Sequence, residues 1–455
     1  MDWTIAIVIG AIGIGLALAR SPWLIDYAIF VFVLNRGLRR VIDFYFNHAF
    51  NPLSPISLTP LVIAGAMAAA CLTDTGRLPK WTLRIFFCLG AAVGYAFVIG
   101  FLHVQLGAVY ALGEVLGPIS LTWFALIRGS REEVRDRWMR SFAWGAILTS
   151  AYGWYQYLNI PPWDAFWVRE VGFEGYLGEL EATKMSVFST MAERGPLGVF
   201  LGFAVVPMIV SSRWRTFLSW PAVVLVVSVI LLTGVRAGLL TGIIGTVTFL
   251  LVNRGANLRQ VITAAVVLSA AGWFGFDRLP GSERIADRLA TLGNIREDRS
   301  YRGRVEIMSG GGASLLGNPI GVGLGGSGLG TRVNSGTMQS KVAFGDAGYF
   351  QIVLVYGIIG TILLLSGLYL TWKRLGFYFK IKYLTGEHVM LARALMVTMI
   401  PACWVGDVLT GFSPFWLALG CGLGAGAERL VRATALRNEA LAINSDLCVD
   451  EPTRK

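Results

Sequence analysis

Charge is the scarcest commodity in this sequence. Only 15% of its 455 residues are Asp, Glu, Lys or Arg, where a soluble domain carries about a quarter. Histidine is nearly absent, with three in all, so a His-based metal site or a His-centred nucleophile triad has no support. Cysteine is little better represented. Of five, Cys71, Cys88, Cys403 and Cys421 fall in apolar runs and Cys448 lies near the end. None has metal-ligand spacing, and no disulfide framework is visible. Low-complexity tracts are missing apart from one glycine cluster, and no internal repeat appears of the kind that marks inverted-repeat transporters.

What remains is apolar. Hydrophobic residues make up 55% of the chain, and its mean hydropathy is +0.61. Runs of roughly 17–25 apolar residues can cross about 30 Å of hydrocarbon as helix. Candidate spans lie near 3–19, 22–35, 57–73, 82–102, 104–127, 140–158, 194–211, 216–234, 238–253, 259–275, 348–372, 389–411 and 414–430. The sequence therefore predicts an all-α, polytopic membrane bundle of about 12–13 transmembrane helices. Residues 1–275 would hold ten of them, with a smaller external loop at 159–193. A large polar loop at 276–347, C-terminal spans over 348–431 and a cytoplasmic tail at 432–455 would follow. The N-terminus lacks the basic n-region and cleavage signal of a signal peptide and reads as a retained first span.

The net charge of +11 would suggest nucleic acid in a soluble chain. Here the basic residues sit in short loops, at 128–140, 211–215, 254–259 and 373–382, and nucleic acid is not an expected partner. Even numbers of spans separate these loops, so the positive-inside rule puts them all in the cytoplasm. Loops 159–193 and 276–347 then face outward. Arg36, Arg39 and Arg40 break the pattern, because the same count places them outside.

Ionisable groups in or beside a span cost at least ~2.5–3.5 kcal/mol near a helix centre. Glu114, Glu193, Arg194, Arg236 and Asp407 therefore need a reason. Arg236 sits in LLTGVRAG between two apolar runs, flanked by small residues that leave a guanidinium accessible. It reads either as a snorkelling anchor or as a ligand for an anion. The large loop adds Arg302 and Arg304 in SYRGR. Arginine offers a planar fork that matches phosphate oxygens, so several at one membrane face suggest a polyanionic lipid head. The run GVGLGGSGLG contains a formal G-x-G-x-x-G at Gly321, Gly323 and Gly326. It lacks the strand, helix and acidic partner of a dinucleotide site, though a turn presenting amides to an anion stays open. Asp346, just before a span, reads either as a helix N-cap or as a general base.

At these residues the chain resembles the O-antigen ligase and polymerase superfamily, and within it the exopolysaccharide-repeat polymerases. Five segments carry the resemblance: LRRVIDF at 38–44, SVFSTMAERGPLGVFL at 186–201, LLTGVRAG at 231–238, SYRGRVEIM at 300–308, and NPIGVGLGGSG with GDAGYFQIVLVYGIIG at 318–360. The resemblance implies a GT-C-like bundle in the bacterial inner membrane, with a periplasmic catalytic loop at 276–347. It implies metal-independent, inverting glycosyl transfer from an undecaprenyl-pyrophosphate-linked oligosaccharide, with no cofactor. Arg236 and Arg302 would be catalytic, holding the pyrophosphate, and Asp346 would assist the attacking hydroxyl. Arg304, Arg194, Arg39, Arg40 and Tyr349 would bind substrate, and Trp163, Phe166, Trp167 and Tyr176 could stack on sugars. Membrane lipid, a flippase and a chain-length regulator are the partners it suggests. Asp346 stands where ligases of the family usually have His, which favours polymerase over ligase, and Asp-Ala-Gly replaces the family's Asp-Asn-Gly. A ligase acting on a lipid or protein acceptor is the alternative, and a transporter of lipid-linked sugars a third reading.

Overall fold

A computed structural model describes residues 2–49, 51, 53–74, 76, 78–172, 177–252, 317–327, 348–380, 386–403 and 412–447. The described residues are all-helical, with no strand. Thirteen α-helices are present among them: α1 (Asp2–Leu18), α2 (Trp23–Phe46), α3 (Pro55–Leu72), α4 (Lys80–Val104), α5 (Leu106–Arg128), α6 (Glu132–Asn159), α7 (Pro162–Val171), α8 (Arg194–Val210), α9 (Ser219–Thr233), α10 (Arg236–Val252), α11 (Gly348–Lys380), α12 (Glu387–Ala402) and α13 (Pro414–Leu447). The expected span at 259–275, Arg302, Arg304, Asp346, Asp407 and Tyr176 lie outside the described residues, as does most of the 276–347 loop.

Four helices, α3, α4, α5 and α11, are long and apolar enough to cross a membrane, and α1, α8, α9 and α10 are shorter apolar helices. The outward faces carry bare hydrocarbon: Phe87 is 74% exposed, Leu102 76% and Ile362 59%. Water penalises apolar area at ~25 cal/mol per Å², so such faces are stable only against lipid or protein.

Ion pairs sort the helix ends into two sets. Arg20 after α1 and Arg128 ending α5 both bind Asp74 just after α3. On the same side, Arg135 near the start of α6 meets Glu428 of α13, and Asp136 meets His388 at the start of α12. The basic loops at 128–140 and 211–215 therefore share one end, as expected, since Arg213 also reaches Asp136. At the other end, Asp2 opening α1 lies 3.5 Å from His48 beyond α2, and Arg39 donates to Ser57 in the first turn of α3 at 2.6 Å.

One helix differs from expectation. The second span was predicted to stop near residue 35, leaving the arginines in a loop, but α2 continues unbroken to Phe46. Nothing in NRGLRRVIDF breaks a helix except Gly37, and Glu114, Asp43 and Asp164 meet the charges of Arg36, Arg39 and Arg40. The acidic segment after α6 also holds a short helix, α7, opened by Pro161-Pro162 and closed by Gly172 in the left-handed conformation.

Helices α8 and α10 pack in parallel. Gly198 and Gly202 of α8 face Gly238 of α10, and Val205 and Val206 follow against Gly242 and Gly245. A Cβ on Gly238 would lie 2.3 Å from the Gly198 carbonyl oxygen. Small residues spaced four apart let backbones approach this closely within a bilayer. Gly238→Val should force the helices apart and cost about 1–3 kcal/mol, read as a lowered midpoint of thermal unfolding in detergent. An unchanged midpoint would mean that this contact does not hold the pair together.

Candidate functional site

The parallel α8–α10 pair brings two arginines to one end. Arg194 is the first residue of α8 and Arg236 the first of α10. The α9–α10 connection is only Gly234-Val235, with Gly234 in the left-handed conformation and the Thr233 hydroxyl accepting from the Val235 amide at 3.1 Å. This tight turn fixes where α10 begins. Both arginines are half-buried, each at a helix N-terminus, where unpaired amides and the helix dipole favour an anion. Both lie at the end opposite the basic loops. Glu193 precedes Arg194 in extended conformation and makes no side-chain cap.

The segment leading into α8 is gripped from several sides. Arg40 of α2 is enclosed, its side chain 1% exposed, and its Nε lies 3.0 Å from Oδ1 of Asp164, which is 0% exposed. Arg40 also donates to the Ser189 carbonyl and stacks between Trp167 and Phe188, 5.6 and 4.9 Å from their ring centres. Tyr152 (2.8 Å) and Gln156 donate to the other Asp164 oxygen. The Gln156 carbonyl oxygen then accepts from two successive amides, Phe188 at 3.0 Å and Ser189 at 2.8 Å. Ser189 and Ala192 both take positive φ, +49° and +68°, a conformation that costs side-chain-bearing residues energy and survives only when neighbours enforce it. Burial raises the Asp164 carboxyl pKa, opposed by the Arg40 charge and by the Tyr152 and Gln156 hydrogen bonds.

Arg36 and Arg39 complete the same side of α2. Arg36 donates to the Met191 carbonyl at 3.2 Å and lies 3.7 Å from Glu114. Arg39 bonds Asp43 at 3.0 Å. These arginines sit at the end where topology counting placed them, and each is met by a carboxylate. Arg39 and Arg40 were expected to bind substrate. Arg40, bonded to Asp164 and to the Ser189 carbonyl, helps hold residues 187–194, whereas Arg39 bonds Asp43 and Ser57.

Tyr349 opens α11 at this end and gives its hydroxyl to the Ile400 carbonyl of α12. The described aromatic residues Trp163, Phe166 and Trp167 have partners within the protein. Trp167 is buried, Trp163 donates to the Tyr152 hydroxyl at 2.6 Å, and Phe166 packs edge-on against Phe44. His103 is absorbed by its own helix, with Nδ1 2.7 Å from the Ile99 carbonyl.

In the described part of the glycine run, 321–327, five backbone amides are given to carbonyls of the protein. The amide of Gly321 bonds Asn318, Val322 bonds Leu354, Gly323 bonds Val355, Leu324 bonds Ala96 and Gly326 bonds Gly323. The segment threads between α4 and α11 and serves carbonyls freed where α11 breaks at Gly357 (φ 60°). Irregular backbone at membrane depth persists when protein satisfies its polar groups. Gly323, at φ +77°, could hold no side chain, since a Cβ would fall 2.1 Å from the Gly100 nitrogen.

For a metal, the described residues offer Asp2, Asp43 and His48, whose ligand atoms lie within 4.8 Å of one another. A cation there would compete with the guanidinium of Arg39 for Asp43. Sequence reading missed Asp164 and Gln156. Gln156 could have been found as a polar residue inside an apolar run, and Asp164 as the lone acid among the aromatics of PPWDAFW. No family model matches this chain, and no curated protein matches it either.

Proposed function

We propose that the chain is a polysaccharide polymerase of the bacterial inner membrane. It would transfer glycan from an undecaprenyl-pyrophosphate donor to a lipid-linked repeat unit on the periplasmic face. One observation carries this reading: two arginine-led helix N-termini, of α8 and α10, lie side by side at the end opposite the basic loops. By the positive-inside rule that end is periplasmic. Arg236, with Arg194 beside it, faces the anionic leaving group, and Arg302 and Arg304 from the large loop add to the same charge. Fixed guanidinium groups aimed at developing negative charge stabilise it without reorganisation. Asp346 is the group assigned to the acceptor hydroxyl, taking its proton as the hydroxyl oxygen attacks the anomeric carbon and the pyrophosphate leaves with inversion. Arg40, Asp164 and Gln156 act one step back, by holding the strained segment from which α8 starts.

The test is the profile of lipid-linked glycans in a strain lacking the protein, extracted and weighed by mass spectrometry. Single repeats on undecaprenyl pyrophosphate, with longer chains gone, are the expected result. Long chains accumulating on the lipid would identify a ligase. An unchanged profile would remove glycan transfer altogether and return the arginines to head-group binding in a transporter.

A further inference from the structure

At the basic end, five arginines have carboxylate partners. Arg20 and Arg128 share Asp74, Arg135 bonds Glu428 at 3.0 Å, Arg137 bonds Asp26 at 3.0 Å, and Arg213 reaches Asp136 at 2.9 Å. Arg393 in α12, like Arg215 and Arg374 at this end, packs on aromatic rings instead. Among the described residues it has no ion pair and no hydrogen bond, and its Nε is closed off from solvent. Its guanidinium carbon lies 4.6 Å from the ring centre of Trp372 and 4.7 Å from that of Phe379, both on α11.

The bracket has a physical logic. Trp372 and Phe379 are seven residues apart, two helical turns, and so share one face of α11. Ring faces attract a cation but offer it no hydrogen-bond acceptor. Arg393 is half-buried with only Nε closed off, so its two Nη groups are the accessible donors. Two parallel N–H groups on a planar cation match two oxygens of a phosphate. The flanking sequence is interfacial in type: Lys373 and Lys380 are exposed on α11, and aromatic and basic residues alternate through its last turns. Trp and Tyr collect at the membrane–water boundary, and Lys and Arg there draw anionic lipid. Arg215 over Trp220, at 4.7 Å, repeats the arrangement on α9 at the same end.

We propose that Arg393, held between Trp372 and Phe379, is a binding site for a phosphate group at the membrane surface, with an anionic phospholipid head as its source. The site lies at the end opposite Arg194 and Arg236 and does not depend on glycan transfer.

The experiment uses the full chain purified in detergent, titrated with phosphatidylglycerol or phosphatidylcholine and weighed intact by native mass spectrometry. Wild type should retain phosphatidylglycerol in preference to phosphatidylcholine. Arg393→Gln should weaken the tightest phosphatidylglycerol by about tenfold, the scale of losing a hydrogen bond to a charged group. Arg393→Lys keeps the charge without the planar fork and should fall between. Trp372→Leu keeps the arginine but opens the bracket, and should also weaken binding, which keeps the test decisive should Arg393→Gln fail to fold. Phosphatidylglycerol binding that is unaltered in these variants, or matched by phosphatidylcholine, overturns the proposal. Millimolar inorganic phosphate separates the sources: lipid that stays bound in its presence assigns the site to a phospholipid head, and lipid displaced by it assigns the site to free phosphate.

Discussion

Replacing Asp164 by alanine is expected to cost about 3–5 kcal/mol of stability, because it strands a buried guanidinium without its counter-charge. Arg40 is enclosed on all sides, with 1% of its side chain exposed, so it has no route to water once the carboxylate is gone. A loss of that size is a large share of the ~5–15 kcal/mol that holds a typical domain folded. Arg40→Ala should cost a similar amount by stranding Asp164. The double variant Arg40→Met/Asp164→Leu should lose much less than the sum, since removing both charges of a buried pair is often close to neutral. Thermal unfolding in detergent across this cycle measures the coupling. If the two single losses simply add, the residues are not acting as a pair and the grip on residues 187–194 has another origin.

The second large effect concerns chemistry rather than folding. Arg236→Ala should remove polymer while leaving the amount of protein in the membrane unchanged, with a rate loss on the order of 10²–10³ or more, as for deletion of one fixed donor to a developing anion. Arg236 is half-buried at the first turn of α10, so its truncation opens no core cavity. Arg236→Lys should fail as well if two phosphate oxygens are gripped at once. Normal polymer from both variants would identify the residue as a snorkelling anchor and sink its assignment to the leaving group. The Asp164 cycle and the Arg236 pair are complementary, for the first should move the melting midpoint and the second should leave it in place.

The helical, strongly apolar character was legible because it is a property of local composition. Apolar runs near 57–73, 82–102, 104–127 and 348–372 are the four helices long enough to cross a membrane, and no tertiary contact is needed to recognise hydrocarbon. The shared end of the 128–140 and 211–215 loops was legible too, since counting spans assigns each of them a side. Arg236 and Arg194 could be picked out because charge at the edge of an apolar run is costly wherever it occurs.

The partners of those charges were not legible. Arg40 and Asp164 are 124 positions apart in the chain, and a sequence read alone shows one as a loop arginine and the other as a surface acid. Only the folding of α7 against α2 and α6 removes both from water and makes them a pair. The glycine run follows the same rule. Its composition leaves a turn presenting amides to an anion open, but the amides of Val322, Gly323 and Leu324 go to carbonyls that α11 releases near Gly357 and α4 presents at Ala96. Composition and spacing thus determine which segments form apolar helices and that the 128–140 and 211–215 loops share an end, because apolar character is counted residue by residue. Which buried charge is neutralised, and by what, belongs to the tertiary structure, because that energy depends on distances of a few ångströms between residues far apart in the chain.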